Sequence, residues 1–158
     1  MKNNSNNMKK KPLVIMELAN NHMGDVVHTR SIINRFNKVT SKYYNNIDFA
    51  IKFQYRNSET FIHDSFKNTE HSGVKRFEST YLDKKDWKLI SSFSKKNFKL
   101  ICTAFDESSV DRIVSENFDY LKIASCSITD WPLMEKIAKT AKNKNIICSL
   151  GGATEKEI

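Results

Sequence analysis

Five short apolar runs recur along the chain, most of them followed by a segment with helical periodicity, and this alternation constrains the fold more than any other feature. The runs are Leu13–Ala19, Phe49–Gln54, Leu100–Phe105, Tyr120–Ser125 and Asn145–Leu150. They are largely apolar rather than strictly alternating, as expected of strands covered on both faces. Consecutive strands separated by helices must be joined by crossovers, so they pair in parallel. The expected class is α/β, an incomplete (β/α)8 TIM barrel of about five parallel strands with crossover helices.

The helical segments carry their own start signals. Asp25 caps a helix in which Ile32, Phe36, Val39 and Tyr43 recur at i, i+4, i+7 and i+11, predicting a buried stripe there. Asp83 caps a second helix with Trp87, Ile90 and Phe93 inward. A short helix runs from Ser108 through Val110, Ile113 and Val114. Thr129 or Asp130 caps the next, with Pro132 in its first turn and Ile137, Ala138 and Ala141 on its apolar face. The polar stretch from Tyr55 to Tyr81 is longer than an ordinary connection. It follows a strand's C-terminal end, so two readings stay open: part of a substrate site, with Arg56 and Arg76 as carboxylate partners, or a mobile surface loop.

Residues 1–11 form an Asn/Lys tail with almost nothing to bury and are expected to be disordered. Residues 12–158 are then the N-terminal part of the barrel. A complete barrel takes roughly 250 residues, and this chain has 158. Thr154–Glu157 has a capping-box pattern that opens a sixth helix, so the chain is expected to be truncated and to need the remaining strands as partners.

Composition narrows the classes further. An apolar content of 39% separates the chain from disordered sequences. No apolar run approaches the roughly 20 residues of a membrane span, and Leu13–Ala19 contains Glu17 with no cleavage pattern behind it, so neither membrane insertion nor a secretory leader is expected. Cys102, Cys126 and Cys148 form no CxxC pair and suit free thiols in a reducing cytoplasm. The net charge of +8 is spread along the whole chain, without the basic stripe a nucleic-acid surface would need. An anionic small substrate is compatible with it.

Strand periodicity sorts the chemistry onto one face. Ile15, Glu17 and Ala19 share a face, as do Ala50, Lys52 and Gln54; Ile101, Thr103 and Phe105; Lys122 and Ala124; and Ile147 and Ser149. Cys102 and Cys148 fall on the opposite face, toward the helices, where a thiol packs as a small hydrophobe. Each strand thus offers a polar or charged group near its C-terminal end, the active-site end of barrel enzymes. Singly, each has a plainer reading. Thr103 and Ser149 suit satisfied strand positions, Lys52 and Lys122 can snorkel to solvent, and Glu17 can simply pair with one lysine. Jointly the five describe an anion-binding site containing one acid.

At these residues the chain resembles the sialic acid (N-acetylneuraminate) synthase family. Glu17-Leu-Ala-Asn-Asn-His22-Met-Gly24 is similar to the E-I-x-x-N-H-x-G segment that opens that family's barrel, and Lys52-Phe-Gln54 to its K-x-Q strand. Cys102-Thr103-Ala-Phe105 resembles S-T-P-F, Lys122-Ile-Ala-Ser125 resembles K-I-G-S, Pro132-Leu133 the P-L of the following helix, and Ser149-Leu-Gly151 the S-T-G strand end. The resemblance implies a transferase that condenses phosphoenolpyruvate with an N-acetylated sugar aldehyde such as N-acetylmannosamine, releasing phosphate by C–O cleavage. It implies that Lys52, Thr103, Lys122, Ser125 and Ser149 hold phosphoenolpyruvate, that Glu17 serves proton transfer near the aldehyde, and that Gln54 orients Glu17. Asn21, His22 and Ser127 would order the loop or line the sugar site, His22 by a hydrogen bond rather than as a metal ligand. The family usually has glutamate where this chain has Ser127, and Leu150 and Gly152 stand for its threonine and methionine. A divalent metal, Mn or Mg, is implied for the complete enzyme, on two histidines of later strands; His22, His28, His63 and His71 have no metal-ligand spacing. The complete enzyme would be a cytoplasmic homo-oligomer. Two other readings remain, a Schiff-base aldolase using Lys122 or Lys52, and a non-catalytic half-barrel that needs a partner along its sheet edge.

Overall fold

The computed structural model describes residues 10–156. The five apolar runs form β1 (Leu13–Glu17), β2 (Asp48–Tyr55), β3 (Lys99–Ala104), β4 (Tyr120–Ile123) and β5 (Asn145–Cys148). They make one sheet in the order β1-β2-β3-β4-β5, with every neighbouring pair parallel. Spatial order equals chain order, which is how a (β/α)8 wall grows, and the result is a half-barrel. The helices are α1 (Val26–Thr40), α2 (Ser58–Phe61), α3 (Ser72–Ser79), α4 (Lys84–Ser94), α5 (Glu107–Ser115) and α6 (Trp131–Thr140). Among the described residues no helix is long and apolar enough to cross a membrane.

Aspartate starts each long crossover helix. Asp25 accepts the Val27 and His28 N–H groups at 2.6 and 3.0 Å, Asp83 accepts that of Asp86, Asp106 that of Ser109 and Asp130 that of Leu133. Each cap satisfies a backbone donor that the helix itself leaves unpaired. The core lies between the sheet's outer face and these helices. Ile51, Phe53, Tyr55, Leu100, Cys102, Leu121 and Ile123 from the strands meet Ile33, Trp87, Ile90, Val110, Ile113, Leu133 and Ile137 from the helices. Trp87 sits at its centre, edge-on to Phe53 at 5.7 Å and to Tyr55 at 5.2 Å between ring centroids.

Several expectations are corrected by packing. In α1 the inward stripe is Thr29, Ile33 and Thr40 flanked by Phe36, while Val39 and Tyr43 are 64% and 44% exposed. Two threonines hid that stripe from an apolar count. Their hydroxyls donate to Asp25 and Phe36 carbonyls at 2.6 and 2.9 Å, so they can be buried without an orphaned polar group. The polar stretch after β2 is not a bare loop: it holds α2, a 3-10 turn at Asp64–Phe66 and α3. Cys102 is fully buried as expected, but Cys148 is exposed, because β5 is an edge strand whose outer face has no covering helix among the described residues. Residues 155–156 lie in a turn, and Glu157, the last residue of the capping-box pattern, lies outside the described residues. Most of the Asn/Lys tail also lies outside them. Lys11, placed within that tail, donates its ammonium to the Tyr44 carbonyl at 2.8 Å.

Candidate functional site

Register brings the polar residues of the inner face together. Glu17 pairs across with Lys52, and Gln54 lies opposite Thr103, which lies opposite Lys122. Beneath them on the same face Ala50 and Ile101 are fully buried, whereas Ile15 toward the β1 edge is 39% exposed. The polar group therefore sits at the C-terminal ends of the strands on an apolar floor.

Glu17 and Lys52 form an ion pair. The other Glu17 oxygen accepts the Ala19 N–H at 3.1 Å, where the chain leaves β1 with Ala19 at a φ of +45°. The carboxylate is thus oriented but open, its side chain 44% exposed against 16% for Lys52. Lys122 donates to the Ile123 carbonyl at 2.7 Å and to Ser149 Oγ at 2.5 Å. An ammonium has three N–H groups, so these contacts leave one for a ligand. Burial first, and then the charge of Lys52, hold the Lys122 ammonium below the ordinary lysine pKa. Lys52 has Glu17 as its anion whereas Lys122 has only neutral acceptors, so Lys122 is the cation that an added anion would neutralise. Thr103 is 3% exposed between Gln54 and Lys122. Ser125 lies beside Gly151, where an added Cβ would come within 3.1 Å of Ser125 Oγ, so glycine allows the β5 end to close on β4.

The β1–α1 loop is tied down by residues the strand pattern did not single out. His22 is 2% exposed; its Nδ1 accepts the Gly24 N–H at 3.1 Å and its ring stands edge-on to Trp87 at 5.1 Å. Burial, and secondarily the charge of Arg56, lower its pKa to about 4, so it is neutral at pH 7. Asn21 is exposed, while its neighbour Asn20 is 7% exposed and accepts from Arg56 Nη2 at 2.7 Å. The same nitrogen donates to Gln54 Oε1 at 3.0 Å. Gln54 is therefore held by Arg56, while the hydrogen bonds that orient Glu17 come from Ala19 and Lys52. Arg56 stood out in the sequence only as a charge in the polar stretch and Asn20 not at all, because the Phe61, Phe77 and Phe105 rings around the guanidinium meet only in space. Ser127 is 6% exposed in the turn before α6, its backbone N–H bonded to the Ala124 carbonyl. Asp106 fastens the neighbouring loops, accepting from Ser109 and from the Asn57 N–H at 2.6 Å.

Among the described residues no three His, Cys, Asp or Glu side chains converge as a metal-ligand set. With His22 Nδ1 taken by Gly24 and its ring packed on Trp87, the described residues do not by themselves make a site for the implied divalent ion.

A half-barrel with an acid and two cations gathered at the C-terminal ends of its strands has the layout of the active-site end of a parallel barrel. The NeuB family profile matches residues 44–158, and the chain belongs to that family. It is 31% identical over 94% of its length to N,N'-diacetyllegionaminic acid synthase of Campylobacter jejuni, covering 45% of that protein. Among crystal structures it is similar to a Chromobacterium violaceum protein assigned as spore coat polysaccharide biosynthesis protein E, at a TM-score of 0.86 and 45% identity, covering 93% of this chain and 43% of that one. It is also similar to the N-acetylneuraminic acid (sialic acid) synthetase of Leptospira borgpetersenii in complex with citrate, at a TM-score of 0.75 and 27% identity, covering 94% and 48%. The chain spans less than half the length of each of these relatives.

Proposed function

We propose that this chain supplies the phosphoenolpyruvate-binding and proton-transfer half of a sugar-acid synthase. The reaction would condense phosphoenolpyruvate with an N-acetylated sugar aldehyde such as N-acetylmannosamine. Carbon 3 of the enol attacks the aldehyde carbon, whose oxygen takes up a proton; water adds at carbon 2, and phosphate leaves with the C–O bond. Lys52 and Lys122 would neutralise the substrate's charge while Thr103, Ser125 and Ser149 donate hydrogen bonds. Glu17, oriented by Ala19 and Lys52 yet open to solvent, is the group that can move the proton. One observation carries the reading: Lys122 and Lys52 share the inner face at the strand ends, and no carboxylate is bonded to Lys122 among the described residues.

The test is a full-length protein given phosphoenolpyruvate labelled with 18O in the bridging position, together with N-acetylmannosamine. Labelled inorganic phosphate is expected, and unlabelled phosphate would exclude C–O cleavage. The depressed Lys122 pKa also favours a second reading, since a Schiff-base lysine needs a neutral amine. Borohydride trapping of pyruvate on Lys122 would establish that reading instead.

A further inference from the structure

We infer that Arg56 is a positioning residue that fixes Gln54 as a hydrogen-bond donor toward the anionic substrate. This deepens the reading of the inner face as a phosphoenolpyruvate site and rests on it.

A glutamine amide presents a carbonyl acceptor at one end and an NH2 donor at the other, and rotation about its last bond exchanges them. Next to an anion only the donor end is useful. Gln54 shares its register row with Thr103 and Lys122, so an unrestrained side chain would offer either polarity there. Arg56 removes the choice. A guanidinium has donors and no acceptor, and its Nη2 takes Gln54 Oε1 at 3.0 Å while it also holds Asn20 Oδ1 at 2.7 Å. With the oxygen occupied, the NH2 end of Gln54 is the one left to donate.

The guanidinium is itself held. It lies over the Phe77 ring at 4.3 Å, with Phe61 at 5.4 Å and Phe105 at 5.7 Å. Phe61 packs edge-on to both of the other rings, at 5.1 and 5.6 Å. These rings come from α2, from α3 and from the end of β3, so the segment after β2 serves as the clamp on Arg56. Burial lowers the arginine pKa to about 10, which leaves it charged at neutral pH. Lysine cannot reproduce the arrangement, because a point charge lacks both the planar fork and the stacking surface.

Gln54 is the only glutamine in the chain, so side-chain 15N-glutamine labelling gives a single amide NH2 pair in an NMR spectrum. Phosphoenolpyruvate is titrated into the labelled wild-type chain and into Arg56→Met, Arg56→Lys and Gln54→Glu, with binding measured in parallel by calorimetry. In the wild type the Gln54 NH2 signals should shift with the binding isotherm. Arg56→Met should abolish that response and weaken binding at least fivefold, and Arg56→Lys should fall between. Gln54→Glu keeps an acceptor for Arg56 and should unfold at or above the wild-type temperature, yet bind at least tenfold more weakly. A role in rigidity alone would not separate stability from binding in that way.

The inference is overturned if phosphoenolpyruvate binds and leaves the Gln54 NH2 signals unmoved, or if Gln54→Glu binds as the wild type does. It is also overturned if a folded Arg56→Met binds with wild-type affinity. Should Arg56→Met fail to fold, Arg56→Lys and Gln54→Glu decide. If the wild type binds no phosphoenolpyruvate, the substrate reading fails, and the ligand-free amide still tests the positioning. A change in the ligand-free Gln54 side-chain 15N shift in Arg56→Lys, as the charged donor to Oε1 is lost, supports it, and equal shifts in the two proteins refute it.

Discussion

Replacing Lys122 by methionine keeps most of the side chain's bulk and removes its charge, and the effects on stability and on binding should have opposite signs. In the free protein the ammonium is disfavoured by burial and by Lys52. Its two acceptors keep other partners: the Ile123 carbonyl also accepts the Ser149 N–H at 3.1 Å, and the half-buried Ser149 hydroxyl can turn to water. The variant should therefore be as stable as the wild type or more so. Binding should weaken, because a charge-assisted contact of about 1.5–3 kcal/mol is lost, which is roughly 10–150-fold in affinity. At a ligand concentration of ~100 times the wild-type Kd, the wild type gains about 2.7 kcal/mol. A variant that binds ~100-fold more weakly gains only about 0.4 kcal/mol. For a domain of this size each kcal/mol moves Tm by roughly 2–4 °C, so the ligand-induced shifts should be about 5–11 °C and 1–2 °C. A pH series adds a check. The folded-state pKa of Lys122 lies below its unfolded value near 10.5, so the folded state binds the proton less well. The penalty is present in full below the folded pKa and fades as pH rises toward 10.5, so any gap in Tm between the free proteins should close on that limb. A variant destabilised by more than about 1 kcal/mol that keeps the wild-type ligand shift would make Lys122 a structural residue and refute the reasoning.

Other positions test the scaffold under the site. Trp87→Ala removes the ring on which His22, Phe53 and Tyr55 pack and should cost about 3–5 kcal/mol in urea unfolding; a loss under ~1 kcal/mol would contradict this packing. Gly24 has a φ of +70°, and a Cβ there would lie 3.0 Å from the Ser79 carbonyl oxygen, so Gly24→Ala should lower stability by about 1–2 kcal/mol or more and a neutral result would refute that geometry. His22, with a folded pKa of about 4 against an ordinary 6.5, makes the unfolded state bind more protons across that window. Stability should therefore fall as pH drops from 6.5 toward 4. His22→Asn, which keeps an acceptor for Gly24, should show a shallower fall; equal slopes in a thermal pH series would reject the assignment.

Much of the fold was legible because parallel strands and their crossover helices write themselves as apolar runs, aspartate caps and helical spacing. Period-two alternation likewise sent Glu17, Lys52, Gln54, Thr103 and Lys122 to one face without any coordinates, since a strand's side chains have only two directions to point. The sequence could not say which of these side chains bond one another. Glu17 pairs with Lys52 and Lys122 with Ser149 because parallel register and sheet curvature set those distances, and both come from residues far apart in the chain. The α1 stripe was misread at Val39 and Tyr43 because Thr29 and Thr40 bury hydroxyls that satisfy their own helix, a bond invisible to a hydrophobicity count. Arg56 was noticed in a polar stretch, but only tertiary packing could show what it touches. Three phenylalanines from separate elements and two amide oxygens converge on it, and convergence of that kind is a property of distances in space, which no local pattern along the chain encodes.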